Sequence, residues 1–425
     1  MQGSAPTTYV MLNERLDRLV RPGFQLFGRS WNAYLLWQCI GIVSAIAVVL
    51  SITRFTSLSS AVTAGILFLS AFIVVVLFKS AELFGSLLKN VEIFGQPYGL
   101  LFIWAGSGIY HFQVAILSSA SLLLWLVDEP ILPYLDLLAI SLAIAQIFGR
   151  LGCLMVGCCH GRPHRWGVRY GDVHLEAGYV NYLQGVRLLP VQLLESIWLL
   201  FIAIVAAKLV LSGAAPGEAL SWYVIAYGAG RFTLEFLRAD TIRLYFWGFS
   251  EAQWTALLFT ASIVMLELWG ILDFHLWHVA APLAIALTML TIGLLRHFRK
   301  LERFELLHPY HLREFAEAVS WLYDLLNGGF AVGDGSGNSL GSIEAATSLG
   351  VQLAAEANSD EHGCSYEYAI SYRNQTMKEK TARTLAALIA LMKHPNDGYA
   401  LSQQGEGVFC LSVGCDVMGD HARFV

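Results

Sequence analysis

ILPYLDLLAISLAIAQIFGRLGCLMVG, the stretch Ile131–Gly157, is the key to the fold. It is poor in charge and, wound as one helix, exceeds the roughly 20 apolar residues needed to cross a bilayer. Yet Arg150 lies inside the apolar run and not beyond its end. A charged side chain at such depth costs about 2.5 kcal/mol or more, so it normally has a partner or a task. The stretch therefore reads as a membrane helix that carries chemistry.

Comparable windows lie on both sides of it, at 33–52, 61–78, 98–127, 189–211, 218–238, 252–272 and 277–295. Together they predict about seven to eight transmembrane helices. The 98–127 window is longer than one crossing needs. Gly106, Ser107 and Gly108 lie inside it, where backbone can loosen around a cavity.

The composition agrees. The 425 residues are 56% hydrophobic and only 14% charged. A soluble domain carries about 25% charged residues, so a soluble chain this poor in charge would not cover its surface. Disorder is excluded, because it needs low hydrophobicity and high net charge. With 27 basic against 32 acidic residues, a nucleic-acid partner is not expected. Seven cysteines, widely scattered, do not make a disulfide-stapled secreted domain.

Residues 1–32 form a polar tail with Arg15, Arg18, Arg21 and Arg29. It is too long for the start of a cleaved signal peptide, and no removed segment is expected. Trp31, Tyr34 and Trp37 suit an interfacial belt. The membrane part is expected over 33–296. From Arg296 the charge density rises, with Arg299, Lys300, Glu302 and Arg303, and 297–425 reads as a soluble domain. In it we expect an amphipathic helix over 309–326, a Gly- and Ser-rich loop over 327–342, a strand over 364–373, a helix over 381–392 and a strand over 408–413. The fold class is thus an all-α polytopic membrane protein with a small C-terminal α+β appendage.

Three places break the apolar rule. Arg150, in Gly149-Arg150-Leu151-Gly152-Cys153, is either an arginine snorkelling to the interface or a cation facing a polar cavity. In Tyr227-Gly-Ala-Gly-Arg231-Phe-Thr-Leu-Glu235-Phe-Leu-Arg238, the polar residues are spaced for one stripe of a helix. Arg231 and Glu235 can pair, either as an ion pair that only fixes the fold or as part of a site. Two arginines against one acid leave a surplus positive charge, and arginine's planar fork suits a lipid phosphate. His111, beside Tyr110, is a packing residue or a general base, since its pKa lies near working pH.

The loop between the fourth and fifth windows holds Arg162, His164, Arg165, Arg169, Asp172, His174, Glu176 and Arg187. It reads equally as a headgroup cover and as a solvated basic loop. Cys153, Cys158 and Cys159, with His160 and His164 close by, are candidate thiols. Their spacing is not the usual Cys-x2-Cys of zinc sites, so we expect no metal and no cofactor. Gly333-Asp334-Gly335-Ser336-Gly337 lacks the Gly-Lys-Ser/Thr of a phosphate loop and reads as a turn.

Over roughly 97–272 the chain resembles the prolipoprotein diacylglyceryl transferase family. The resemblance rests on Trp104 to His111, Gly149-Arg150-Leu151-Gly152, Pro190-Val-Gln192-Leu-Leu-Glu195 and, most specifically, Tyr227 to Arg238. It implies a bacterial inner-membrane transferase. Such an enzyme moves the diacylglyceryl group of phosphatidylglycerol to the thiol of a preprolipoprotein lipobox cysteine and releases glycerol phosphate. It assigns the essential histidine to His111 and the essential arginines to Arg150 and Arg231. Gln192, Glu195, Tyr227, Glu235 and Arg238 match the family's residues around the substrate. In this chain Phe112 and Gln113 replace two glycines, and Cys153 replaces an asparagine. A later Asn and Glu become Val156 or Gly157 and Cys158. Leu189 and Leu194 replace a histidine and a tyrosine. These changes resemble a divergent, cysteine-rich branch, and the C-terminal appendage has no counterpart in the ordinary enzyme.

Two other readings stay open on the residues alone. One is a transferase in which Cys158 or Cys159 first takes the lipid group for a different acceptor. The other is a lipid-binding or transport protein without catalysis. The side of the membrane is also open. Lys and Arg gather on the side of the N-terminal tail, Lys79, Lys89, the 162–187 loop and Arg243, which the positive-inside rule places in the cytoplasm. The resemblance places that loop outside.

Overall fold

The computed structural model describes residues 7–26, 28–87, 90, 92–93, 96–97, 109–241, 243–299, 305–327, 343–360, 363–395 and 397–414. Trp104, Gly106 to Gly108, Lys89, Lys300, Glu302, Arg303 and the 328–342 part of the expected loop, with Gly333 to Gly337, lie outside the described residues.

A helix stands in each apolar window: Ala33–Thr53, Ser60–Leu87, Ile109–Leu126, Ile131–Val156, Val191–Leu211, Glu218–Glu235, Glu251–Leu268 and Leu276–Arg299. Among the described residues, five helices are long and apolar enough to cross a membrane, and Tyr110–Leu126 is a shorter apolar one. The protein is a multi-pass membrane protein, mostly helical, with a small sheet near its C-terminus.

Ile131–Val156 is the central helix. Its apolar window is 61% buried inside the protein, against 22% for Ala33–Thr53, so it faces protein on most sides where the other faces lipid. Polar groups fix the helix starts. Asn32 accepts from the Tyr34 amide at 2.8 Å, and Ser250 and Gln253 form a reciprocal capping box. Asp136, buried in the central helix, accepts from the amides of Gly217 and Leu220 at 2.7 and 2.8 Å. It thereby caps the start of Glu218–Glu235, where negative charge suits the helix dipole.

The expected helix over 218–238 stops at Glu235. The reason is pairing: the Arg162 amide donates to the Leu237 carbonyl, and the Ala239 amide donates to the His160 carbonyl. Chain so engaged cannot continue the helix. Arg238 therefore leaves the helical stripe that spacing suggested.

One end of the bundle is covered. Thr7–Leu19, a helix where only a polar tail was expected, lies along the strand Pro163–Arg169. Asn13 and Asp17 receive the amides of Gly167 and Arg169, at 3.0 and 2.9 Å. Asp17 also pairs with Arg187 at 2.9 Å. The C-terminal lobe joins the same cluster, where Leu16, Val168 and Leu188 share one core with Phe315, Leu385 and Leu411. The N-terminal segment, the basic loop and the lobe thus occupy the same end; the Lys and Arg count grouped the first two and left the side of the lobe open.

The lobe is a five-stranded antiparallel sheet, in the order Gly398–Gly405, Val408–Gly414, Gly363–Tyr372, Val351–Asp360, Ile343–Ala346. Helices Pro309–Asn327 and Glu379–Lys393 pack on it through Phe315, Leu322, Leu385 and Ile389, all fully buried against Ile370 and Leu411.

Two buried histidines make this lobe sensitive to acid. His311 donates from Nδ1 to the Leu306 carbonyl at 2.8 Å and accepts at Nε2 from the Thr347 hydroxyl at 3.0 Å. His394 bonds the Tyr368 hydroxyl at 2.9 Å. Burial lowers both pKa values, against the smaller opposing pull of Glu314 on His311 and of Asp397 on His394; Lys393 adds to the lowering of His394. The unfolded chain, with histidines near 6.5, then binds more protons than the folded one as pH falls. Stability present above about pH 6.5 is lost below it. Protection factors of the amides in Gly363–Tyr372, that is, exchange corrected for its intrinsic slowing in acid, should fall between about pH 7.5 and about pH 5.5. Exchange that follows intrinsic chemistry would exclude this coupling.

Candidate functional site

Tyr227, Arg231 and Glu235 share one face of Glu218–Glu235, and that face points into the protein. The glycines between them let it pack closely. A methyl on Gly228 would meet Thr260 at 2.5 Å, and one on Gly230 would meet the Trp198 ring at 2.0 Å. The neighbouring helices thus press on either side of Arg231, which is fully buried.

Glu195, in the first turns of Val191–Leu211, is the hub. Arg150 reaches it at 2.9 Å, Arg231 at 4.0 Å, and the Tyr227 hydroxyl donates to it at 3.3 Å. Arg231 also pairs with Glu235 at 2.5 Å. Glu235 is shared in turn with Arg238 at 3.8 Å and Arg243 at 3.2 Å. Arg238 makes a two-pronged pair with Asp240, at 2.7 and 2.9 Å. Arg243 completes the chain to Glu251 at 3.8 Å.

Among the described residues, the surplus positive charge expected on the stripe is matched by acids from outside it. Arg150, Arg231, Arg238 and Arg243 stand against Glu195, Glu235, Asp240 and Glu251, and the charges balance. The additional acids come from a neighbouring helix and from the segment after Glu235, which the stripe argument did not include. The balance is in charge, not in hydrogen bonds. Arg150 Nε, all three guanidinium nitrogens of Arg231, Glu195 Oε2 and both Glu235 oxygens are buried without a well-aligned hydrogen-bond partner. Such groups are normally satisfied by protein, water or ligand.

A polar chain extends the cluster into the bundle. Gln113 and Gln146 both donate to the Tyr223 hydroxyl, at 2.8 and 2.5 Å. Tyr223 stacks on Tyr227 at 5.9 Å, and Tyr110 leans on Tyr227 at 5.5 Å. Sequence reasoning missed Gln146 and Tyr223 as neighbours of the site, and read Gln113 only as the replacement of a glycine. A glutamine inside an apolar window was the available signal. His111 is half-buried beside Tyr110, while Phe112 turns away to stack on Phe78 at 3.9 Å. The structure therefore joins Arg150, Glu195, Tyr227, Arg231, Glu235 and Arg238 in one ionic cluster, and sets His111 on the helix that flanks it.

The candidate thiols lie at the end of the central helix. Cys153 is in its last turn. Gly157 then takes a left-handed conformation, φ 80°, and Cys159 another, φ 59°. The chain doubles back, and the sulfurs of Cys153, Cys158 and Cys159 all come within 4.8 Å of one another. Gln192 donates to the Cys158 carbonyl at 2.7 Å, so this matched residue holds the thiol loop and not the arginines. Hydrogen bonds from Cys153 and Cys158 pull the Cys159 thiol well below its ordinary range, with help from Arg238 and Arg150. Cys158, bonded to the other two sulfurs, is pushed up. Burial lowers His160. His164 is exposed, its ring turned to the Trp166 backbone, and is not in the thiol group.

Only glycine fits at 157: a Cβ there would sit 2.7 Å from the Tyr179 ring, on backbone that already disfavours side chains. Gly157→Ala is expected to lower stability by about 1–3 kcal/mol and to loosen the loop. Faster alkylation of Cys158 and Cys159 would report it, and unchanged alkylation would contradict it.

Comparison with known proteins gives one consistent answer. A family model described as prolipoprotein diacylglyceryl transferase matches residues 23–269, more than half of the chain. Phosphatidylglycerol–prolipoprotein diacylglyceryl transferase of Clostridium tetani is 36% identical over 110 residues, which are 26% of this chain and 43% of the relative. The second such transferase of Clostridium perfringens is 35% identical over 112 residues, 26% of this chain and 41% of the relative. That of Streptococcus agalactiae serotype Ia is 29% identical over 178 residues, 40% of this chain and 66% of the relative. The chain thus matches between 41% and 66% of the length of these relatives.

Proposed function

Because the chain belongs to the prolipoprotein diacylglyceryl transferase family, we propose that it moves a diacylglyceryl group from a phosphatidylglycerol-like lipid to a thiol acceptor, the cysteine of a preprolipoprotein lipobox. The observation that carries this reading is the buried pair Arg150 and Arg231, joined through Glu195 and still rich in unmet hydrogen-bond capacity.

Arg150 and Arg231 hold the lipid phosphate, exchanging part of their hold on Glu195 for it. Guanidinium forks match phosphate oxygens, and a water-poor site strengthens that match. Glu235 orients Arg231, and Tyr227 orients Glu195. Arg238, locked to Asp240, positions its neighbours and does not grip substrate itself. His111 takes the proton of the acceptor thiol, since the thiolate is the nucleophile. The sulfur then bonds to the glyceryl carbon that bore the phosphoester. The C–O bond breaks, and its electron pair leaves on glycerol phosphate, stabilised by the arginines.

We place this chemistry in the bacterial plasma (inner) membrane, with residues 33–296 as the transferase body. Residues 1–32 and the 297–425 domain cover one end of it. The test supplies the purified full chain with phosphatidylglycerol vesicles and a lipobox peptide, with a working relative as control. A peptide gaining one diacylglyceryl mass is expected. An unmodified peptide beside an active control removes the reading.

A further inference from the structure

The loop that follows the central helix gathers three thiols of which the mechanism above makes no use. We infer that Cys153, Cys158 and Cys159 bind one zinc ion as three thiolates and leave its fourth position to an outside ligand.

The geometry is close to what an ion needs. Zinc–thiolate bonds of about 2.3 Å put tetrahedral sulfurs about 3.8 Å apart. The three sulfurs already lie within 4.8 Å of one another, so small side-chain rotations suffice. A disulfide would draw two sulfurs to about 2.05 Å and leave the third without a role. The three are free thiols.

The backbone is shaped to hold this arrangement. Two left-handed residues, Gly157 and Cys159, fold the chain back under Cys153. A cysteine in that conformation is uncommon, and such strain gathers where function needs it. The turn is pinned on both sides: the Gly157 amide donates to the Cys153 carbonyl at 3.0 Å, and beyond it the Gly161 amide donates to Leu189 at 3.1 Å, Ala239 donates to His160 at 3.1 Å, and Gln192 holds Cys158. The thiols are thus presented by a fixed turn and not by a loose loop. The spacing that argued against a metal is answered by this turn, which brings together residues that a Cys-x2-Cys knuckle would bring by other means.

The charges also fit. Three thiolates and a divalent ion carry one net negative charge; Arg150 acts on Cys153 and Cys159, and Arg238 on Cys159. Thiolate donors favour zinc over magnesium or calcium, and zinc with three protein ligands and an open position is the usual reactive form.

The place of the cluster beside Arg150 suggests what the open position takes. Resting on the transfer reading above, the acceptor thiol binds there: its proton passes to the base of that reading and a Zn–S bond forms. That sulfur then makes the S–C bond as glycerol phosphate departs. The zinc site itself does not rest on that reading.

The full chain, purified in detergent with reductant and without chelator, should carry about one zinc per molecule by elemental mass spectrometry. Cys153→Ser, Cys158→Ser and Cys159→Ser should each cut this to about a tenth or less, while Cys39→Ser retains it. A serine variant that does not fold is bypassed with the wild-type apo-chain and cobalt(II). Thiolate-to-cobalt charge-transfer absorption should appear, and a lipobox peptide, but not its Cys→Ser form, should change it. Three readily alkylated thiols after incubation with zinc, or zinc unaffected by replacing all three, would overturn the site. A cobalt spectrum indifferent to the peptide would overturn the fourth-ligand assignment. Zinc held by a chain that transfers nothing supports the site and removes only the transfer reading.

Discussion

Glu195→Ala is expected to destabilise the protein by about 3–5 kcal/mol, the range for breaking a buried ion pair from one side. Glu195 is 1% exposed and touches two buried arginines and the Tyr227 hydroxyl. Its removal leaves Arg150 with no carboxylate within ion-pair distance among the described residues, and leaves Arg231 with Glu235 alone. The residual charge is buried, so the loss exceeds that of a surface pair. Urea unfolding in a fixed detergent, or the midpoint of thermal unfolding, measures it. A change under about 1 kcal/mol, the surface-pair range, would mean that water already reaches the pair.

The largest expected effect on activity comes from Arg150→Lys. Lysine keeps the charge and can still reach Glu195, so the fold should hold. It lacks the fork that binds two phosphate oxygens at once. Removing one aligned donor from a site of developing charge typically costs about 10²–10³ in rate. We expect transfer to fall by about that factor, with unfolding shifted by less than about 1 kcal/mol. Full activity in a folded Arg150→Lys chain would assign Arg150 to structure alone. Glu195→Ala and Arg150→Lys thus separate the two roles of one cluster: the first reads mainly on stability, the second mainly on turnover.

The membrane helices were legible because a span is a local property. Five of the described helices are apolar runs long enough to need no knowledge of their neighbours. Ends depend on distant chain, and there local reading failed. Arg238 is spaced for the helix that holds Arg231, but pairing with the 160–162 segment takes it out of the helix. The same limit hid the balance of charge. Asp240 and Glu251 lie outside the stripe, and only folding brings them to Arg238 and Arg243.

In the lobe, the strands Gly363–Tyr372 and Val408–Gly414 were visible through alternation and β-favouring residues. Val351–Asp360, with the small residues of VQLAAEANSD, has little β signal of its own, and its place is fixed by ten residues paired with Gly363–Tyr372. The thiol group was in view as composition and hidden as geometry. Nothing in Cys-x4-Cys-Cys announces that a left-handed Gly157 and a left-handed Cys159 will stack all three sulfurs. The arginines, by contrast, stood out in the sequence, because charge in an apolar helix is conspicuous on its own.

The most direct test counts both products of the reaction in one vessel. Wild-type chain, phosphatidylglycerol as sole donor and a lipobox peptide should yield thioether-linked diacylglyceryl peptide and free glycerol phosphate in equal amounts, and both should fall together in Arg150→Lys. Glycerol phosphate without lipidated peptide, or neither product from a folded wild-type chain, would contradict the claim that the buried arginines serve transfer to a thiol.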